Sequence, residues 1–427
     1  MRSWSAARVL ALGVSLAAAR CGSCKSKAPA PADAAPPAPS AASNVPPAPL
    51  SLPMAADHDR NGDVYVAGFV AAREVIDLSR YDAQGRLAWN GDALTNVAYS
   101  ADAHVDVVAT PDGAVVVWRG LHGGKRGRVA GFVAADGKVG ATFAVGSNAC
   151  AAAGTLLSIT SKNTLTSRRL PAGPDKKIAS FAEGRDAVLV CGEGKRAFLV
   201  DEGEDDIGVR PIDDGVARPR ALLVAPDDLG DDEIREHDDF TIGDVLGQLL
   251  LTEAGHLVLR EYVDGPTARR PLEAVIGPDS DLMATDGNAA RVVAVVSRDA
   301  SARCDGEIGT DVVAIDVPLP DGNDRTVDVA HADCGHDLGP YWVAPTDAAM
   351  YVAWAVRGPR SGEHAPVEAL AWAKVDGGSG APNQVKLSAE DVVFAGCTKD
   401  KCMFAALERP EGTDGMAPGA ARIIALP

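Results

Sequence analysis

The spacing of short β-type runs is the sequence feature that most restricts how this chain can fold. One unit has a turn at Asn61-Gly62, a strand-like run over 75–81 and a second turn ending at Gly85. A second unit repeats this order, with turns ending at Gly113 and Gly137. The first turns of the two units are 51 residues apart and the second turns are 52 apart. Such regular spacing indicates a structural repeat.

A repeat of about 50 residues that holds four short strands is typical of a β-propeller blade. One four-stranded sheet cannot cover both of its faces, so similar sheets stack around an axis and bury them. Hairpin-like runs continue toward the end of the chain, and helical periodicity is scarce. We therefore predict an all-β fold, a β-propeller of about seven four-stranded blades within a range of about six to eight. The final apolar run, 421–426, is expected to pair with the first blade and close the ring.

The first 56 residues differ in composition from the rest and divide into two segments. Arg2 and Arg8 precede an apolar run over 9–19 that ends in three alanines, which is typical of a secretory signal. This run is shorter than the roughly 20 apolar residues that span a bilayer. We assign 1–20 to a signal peptide, 21–56 to a Pro/Ala-rich linker or tether, and 57–427 to the propeller domain.

The residues around Cys21 resemble the bacterial lipoprotein box, in which a small residue precedes a lipidated cysteine. Arg20 stands where that small residue is expected. Two interpretations remain open: Cys21 is lipidated, giving an outer-membrane or cell-surface lipoprotein, or cleavage after Ala19 releases a soluble periplasmic or secreted protein. In both cases the prolines and the lack of aromatic residues predict an extended linker.

Residues 62–68 read GDVYVAG and residues 80–89 read RYDAQGRLAW. This pattern resembles the repeat of secreted bacterial β-propeller proteins, which carry a G-N-V-Y-V-x-G strand and a K/R-Y-D-x-x-G-x-x-x-W hairpin. The resemblance covers 57–91, and a blurred version covers 104–145. It implies an exported propeller, and it brings no catalytic residues with it.

Six of the eight cysteines lie in the predicted domain, and thiols of exported proteins tend to pair. Proximity along the chain suggests three candidate disulfides: Cys397 with Cys402, Cys304 with Cys334, and Cys150 with Cys191. The first is the firmest, because a hairpin between two strand-like runs would bring its two cysteines together.

One segment matches a cation-binding pattern. Asp57, Asp59, Asn61 and Asp63 alternate along the chain before and after a glycine, and such oxygen ligands suit calcium. The twelfth position of the loop is Gly68, where a calcium loop has glutamate. The competing interpretation is an Asx-rich hairpin turn, which we favour. Calcium is the only cofactor that the sequence suggests.

The formal net charge of −18 argues against a nucleic-acid partner, because phosphate binding needs clustered Lys and Arg. The densest acidic stretch is 201–239, which holds 15 Asp or Glu and four Arg. It is interpreted either as a solvated, partly disordered loop or as a site for cations or a basic partner. We expect the loop, since like charges repel one another.

No catalytic motif stands out. The sequence favours a non-enzymatic, exported and membrane-tethered β-propeller that acts as a binding or scaffold protein of the cell envelope. Its partner would be an envelope protein, a peptide or a glycan, with membrane contact only through the N-terminal anchor. The alternative is a propeller enzyme, such as a lyase, glycosidase or quinoprotein dehydrogenase, which would need carboxylates or a histidine facing one another at the central mouth.

Overall fold

The computed structural model describes residues 51–426 with internal gaps. The gaps are 153, 161, 193–195, 204–205, 225–232, 266–269, 278, 305–306, 321, 333–337, 359–364, 376–381 and 409–418. The side chains of 51 and 299–309 are also outside the described part. In the part that is described, no helix is long and apolar enough to cross a membrane.

The fold is an all-β propeller of seven four-stranded blades, as the repeat spacing predicted. Blade 1 contains β1 Ser51–His58, β2 Val64–Val70, β3 Val75–Tyr81 and β4 Leu87–Thr95. Blade 2 contains β5 Val97–Ala98, β6 His104–Thr110, β7 Gly113–His122, β8 Lys125–Ala134 and β9 Val139–Ala144. Blade 3 contains β10 Ser147–Ala152, β11 Thr155–Thr160, β12 Thr164–Arg169 and β13 Asp175–Ser180. A 3-10 turn, Ala71–Arg73, is the only helical element among the described residues.

The fourth and fifth blades follow the same antiparallel pattern. Blade 4 contains β14 Asp186–Cys191, β15 Arg196–Glu202, β16 Ile207–Asp213, β17 Val216–Ala217 and β18 Ala221–Val224. Blade 5 contains β19 Ile234–Ile242, β20 Val245–Thr252, β21 His256–Tyr262 and β22 Arg270–Val275. In blade 4 the outermost strand is divided, because β17 and β18 both pair with β16.

The last two blades end in an extension. Blade 6 contains β23 Asp281–Asn288, β24 Arg291–Cys304, β25 Glu307–Pro318 and β26 Arg325–Ala332. Blade 7 contains β27 Leu338–Pro345, β28 Met350–Arg357, β29 Val367–Lys374 and β30 Asn383–Cys397. The extension contains β31 Cys402–Glu408 and β32 Ala420–Leu426. The first half of β30 pairs with β29 and its second half pairs with β31. We call the second half of β30 with β31 and β32 the closing segment.

The leading strand of each blade lies nearest the axis. Strands β6, β10, β14, β19, β23 and β27 each contact the leading strand of a neighbouring blade, and β1 contacts both β6 and the closing segment. A feature on a leading strand therefore belongs to the axial region, and one on a fourth strand belongs to the rim.

Apolar side chains fill each junction between neighbouring blades. Strand β2, for example, is buried along its whole length. Tyr65 faces blade 2, and its neighbour Val66 faces the closing segment, because successive side chains of a strand point to opposite faces. Both faces of a blade are thus buried, which explains why these strands are almost continuously hydrophobic.

The glycines that define the repeat occupy equivalent places. Gly85 and Gly137 both follow the third strand of a blade, with φ of +76° and +85°. Gly113 begins β7, and a Cβ there would lie 2.1 Å from the Val133 carbonyl oxygen. Glycine permits the positive φ and the close approach of the neighbouring strand.

Side chains, not a shared strand, join the two ends of the ring. The Nδ1 and Nε2 atoms of His58 on β1 lie 2.8 Å from the carbonyl oxygens of Ala395 and Cys397 on β30. Gly396 leaves room for the imidazole, since a Cβ there would lie 2.3 Å from its Nδ1. An apolar cluster that includes Met403 and Val64 backs this contact.

Three expectations differ from the structure at this seam and in the acidic stretch. Strand β1 begins at Ser51, within the segment assigned to the linker, because 54–58 pair with β2 residue by residue. The run at the C-terminus, β32, pairs with β31 and not with the first blade. The expected loop over 201–239 is wrong for β16, β18 and β19, which are strands; 225–232 lie outside the described residues.

Candidate functional site

The proposed calcium-binding residues lie at the turn between β1 and β2. Asp59 is buried, and its Oδ1 accepts hydrogen bonds from the backbone N–H groups of Asn61 at 2.8 Å and Asp63 at 3.0 Å. This is the geometry of an Asx-stabilised turn. The Asp59 carboxylate is thus engaged by its own hairpin.

The two other carboxylates of this loop have separate partners. The Asp57 Oδ2 accepts a hydrogen bond of 2.7 Å from the backbone N–H of Ala109 in blade 2. Asp63 accepts a hydrogen bond from the Nε of Arg80 at 3.2 Å. Among the described residues no group of three or more His, Cys, Asp and Glu is arranged to hold a metal. Calcium binding at this loop stays the less favoured and untested of the two interpretations.

Two of the three predicted disulfides are present. Cys150 on β10 is bonded to Cys191 on β14, which links the leading strands of blades 3 and 4. Cys397 is bonded to Cys402 across the hairpin of the closing segment, where the two are directly opposite. Both are confirmed.

Other predicted features lie outside the described residues. These are the signal segment, Arg20, the lipidation candidate Cys21, Cys334 and the side chain of its proposed partner Cys304. Their roles stay predictions.

A group of titratable side chains lies on β19 and at the adjoining end of β15. The Nε2 of His237 lies 3.2 Å from the Glu202 Oε2 at the end of β15 in blade 4. Its Nδ1 lies 3.6 Å from the Asp239 Oδ2, two residues along the same strand and so on the same face. The other Asp239 oxygen accepts a 2.8 Å hydrogen bond from Gln248. A histidine is thereby held between two carboxylates at the junction of blades 4 and 5.

The electrostatics of this cluster favour a protonated histidine. Burial has the largest single effect and lowers the pKa of His237, but the attraction of the Asp239 and Glu202 carboxylates outweighs it and raises that pKa to about 10. Only the Glu202 contact is a hydrogen bond, because the Nδ1 of His237 is 3.6 Å from Asp239. The hydrogen bond to His237 lowers the pKa of Glu202. On the opposite face of β19, burial and then the Asp239 charge raise the pKa of Asp238 to about 6.

These shifts limit what the cluster can do chemically. A general base or acid works best when its pKa lies near the operating pH. An imidazolium with a pKa of about 10 does not accept a proton at neutral pH. His237 therefore serves as a fixed positive charge that joins two blades.

A second ionic network lies beside it in blade 4. Asp201 is fully buried, and its Oδ1 accepts hydrogen bonds from the Nε atoms of Arg185 at 2.5 Å and Arg220 at 2.9 Å. Asp206 joins the same two arginines, at 2.5 and 3.1 Å. Two carboxylates and two guanidinium groups form a closed set with balanced charge.

Sequence reasoning missed both networks. It counted the charges of 201–239 without Arg185, which lies outside that window and pairs with two of its carboxylates. Residues 235–239 read REHDD, which shows no alternation of apolar and polar side chains, so the sequence carried no strand signal for this cluster.

Mixed charges also line a cleft of about 380 Å³ in blade 6. There the His331 Nδ1 lies 2.7 Å from the Asp311 Oδ1, and Arg298 lies 3.8 Å from the other oxygen of Asp311 and 3.6 Å from Asp328. Opposite charges alternate in this cleft, so it has no strong preference for either sign of ligand.

No family model matches the chain, and no curated protein matches it. Solved propeller structures do. A prolyl endopeptidase matches over 83% of this chain and 54% of its own, with 12% identity and a TM-score of 0.52. The chain thus spans about half the length of that endopeptidase. An oligogalacturonate lyase from Vibrio parahaemolyticus matches over 86% and 97%, with 9% identity and a TM-score of 0.45. An oligogalacturonate lyase in complex with manganese matches over 87% and 98%, with 9% identity and a TM-score of 0.46. At such identities the likeness concerns the fold alone.

Proposed function

We propose that this chain is an exported, membrane-tethered β-propeller that binds a partner or organises other proteins at the cell envelope without transforming them. The observation that carries the proposal is the state of His237. Its Nε2 is hydrogen-bonded to Glu202, its Nδ1 lies buried 3.6 Å from the Asp239 carboxylate, and its raised pKa removes it from acid–base chemistry near neutral pH.

Export and tethering are supported by the sequence before Ser51, namely the arginine-flanked apolar run, Cys21 and the Pro/Ala-rich linker. Mass spectrometry of the protein from its native host tests this part. We expect cleavage before Cys21 with an acyl group attached. An intact Met1 on the mature protein would refute export, and cleavage after Ala19 would refute the tether.

The second candidate is a propeller enzyme with its site at the blade 4–5 junction. The specific observation in its favour is that Glu202 and His237 approach one another from two neighbouring blades. Oligogalacturonate lyases share the fold, at an identity too low to transfer their activity.

One experiment separates the two candidates. The processed chain is incubated with pectate, peptide and neutral glycan substrates, and products are followed by ultraviolet absorbance and mass spectrometry. We expect all substrates to be recovered unchanged. Turnover that His237→Gln abolishes in a variant that stays folded would establish the enzyme instead.

A further inference from the structure

Blade 2 carries a group of arginines on one face, in a chain whose net charge is −18. Arg119 on β7 is directly opposite Arg128 on β8, and His104 on β6 is directly opposite Arg119. Residues opposite one another in an antiparallel pair share a face, with Cβ atoms about 5 Å apart. Arg126 is two residues before Arg128 and so lies on the same face.

The three arginines line one open cleft of about 230 Å³ together with Asp102 and Gly127. Asp102 is the acidic group of the cleft, and it is shared. It lies 2.6 Å from Arg126 and 3.5 Å from Arg119. The Ser100 hydroxyl donates a 2.8 Å hydrogen bond to the Asp102 Oδ1. One carboxylate therefore pairs with two of the three guanidinium groups.

Arg128 is the member whose charge is least compensated. Among the described residues it makes no hydrogen bond and no ion pair. Burial is the main cause that lowers the pKa of Arg128, the charge of Arg119 lowers it further, and the charge of Asp106 opposes both. The nearby His104 is occupied by Asp106 at 2.8 Å, and that hydrogen bond raises the pKa of His104. Asp106 is thus already engaged.

Like charges directly opposite one another destabilise a sheet. An anion bound between Arg119 and Arg128 would relieve the repulsion and supply the missing acceptor. The planar guanidinium group matches the oxygens of a carboxylate or phosphate with paired hydrogen bonds. The negative charge of the remaining surface would repel a long polyanion, so the cleft suits a short ligand.

We propose that the cleft formed by Arg119, Arg126 and Arg128 binds one oxyanion group, a carboxylate or a phosphate, of a short ligand. Arg119 and Arg128 hold the anion, and Arg126 divides its charge between the anion and Asp102. The site is on blade 2, apart from the His237 cluster, so its test has an outcome separate from that of the proposed function.

Isothermal titration of the processed full-length chain with citrate and with inorganic phosphate at low ionic strength tests the site. We expect one binding site, an affinity that falls with added salt, and a loss of at least about tenfold in Arg128→Gln, since a charge-assisted hydrogen bond is removed. Tighter binding of citrate identifies a carboxylate ligand, and tighter binding of phosphate identifies a phosphate ligand.

Two further variants control the result. Asp102→Asn removes the competing carboxylate and should tighten binding by about threefold, a gain that misfolding cannot produce. Arg86→Gln removes the same charge from an exposed arginine in blade 1 and should leave binding unchanged. Equal losses in Arg86→Gln and Arg128→Gln, or no binding by the wild type, would overturn the proposal. Binding of polygalacturonate that depends on Arg128 and exceeds citrate binding would overturn the assignment to a short ligand.

Discussion

The ionic network of blade 4 and the arginine cleft of blade 2 place charges in opposite situations. Asp201 is fully buried and accepts hydrogen bonds from two arginines, and Asp206 completes the balance. Arg128 lies in an open cleft, faces another arginine and has no hydrogen bond or ion pair among the described residues, although the charge of Asp106 also acts on it. In the first region every carboxylate is paired with arginines, whereas in the second the positive charges outnumber the negative ones.

Burial accounts for the difference. A charge removed from water persists only when a partner and hydrogen bonds replace the lost solvation. A charge in an open cleft keeps its water and can remain unpaired until a ligand arrives. The comparison shows that the dense acidic stretch, which dominates the sequence, is not the best place to look for a ligand site. The minority of basic residues without partners is more informative.

Removing a charge from the ionic network of blade 4 should have the largest effect. Asp201→Asn leaves the partly buried Arg185 and Arg220 with one carboxylate, Asp206, and so with one uncompensated charge; we therefore expect the free energy of unfolding to fall by about 3–5 kcal/mol. Urea denaturation measures the loss. Asp175→Asn is the control, because Asp175 pairs with Arg168 but is 53% exposed, and it should cost less than about 1 kcal/mol. Similar losses in the two variants would contradict the distinction between the regions.

The second effect is a pH dependence at the blade 4–5 junction. The folded-state pKa of His237 is raised from 6.5 to about 10, so its contribution is complete below about pH 6.5 and is lost as the pH rises toward 10. The decline should be on the order of a few kcal/mol. His237→Gln should flatten the curve of unfolding free energy between pH 6.5 and 10. Parallel curves for variant and wild type would show that the histidine is not held as a cation.

The sequence was sufficient to predict the fold because blades are built from local hairpins. Each blade uses turn glycines such as Gly85 and Gly137 at a repeated spacing, and the Cys397–Cys402 pair follows from one hairpin. The seam of the ring was not predictable in this way. Contact of His58 with the Ala395 carbonyl joins residues 337 positions apart, and no local pattern encodes it.

The candidate sites also differ in whether their contacts are local in sequence or depend on the packing of two blades. The Gly123-Gly124 turn places Arg119 opposite Arg128, so that pair was within reach of sequence reasoning. The approach of His237 to Glu202 depends on how two blades pack, which periodicity does not specify. Charge counting failed for 201–239 because it ignored partners outside the window.

A smaller effect on stability is expected at Asp238, a buried carboxylate of the acidic stretch whose ionisation is unfavourable. Burial raises the pKa of Asp238 to about 6, above its ordinary 3.8, so ionisation costs stability as the pH rises from about 3.8 to 6. Asp238→Asn removes this cost and should raise the free energy of unfolding by roughly 1–2 kcal/mol at pH 7.5. At pH 3.5 the gain should disappear. Thermal melts at the two pH values measure it, and a loss of stability at pH 7.5 would mean that the charge is compensated.

The smallest effect on stability is expected in the arginine cleft, and its sign is the reverse of that in blade 4. Arg128→Glu replaces a like-charge pair by an opposite-charge pair across β7 and β8, opposite Arg119. Cross-strand pairs of opposite charge stabilise by about 0.5 kcal/mol, so the melting temperature should stay level or rise slightly, and less so in high salt. The same variant should lose citrate and phosphate binding, because the introduced carboxylate occupies the position of the ligand. A clear drop in stability would show that the attraction between Arg128 and Asp106 supports the fold. The contrast with Asp201, whose charge is required by the fold, would then fail.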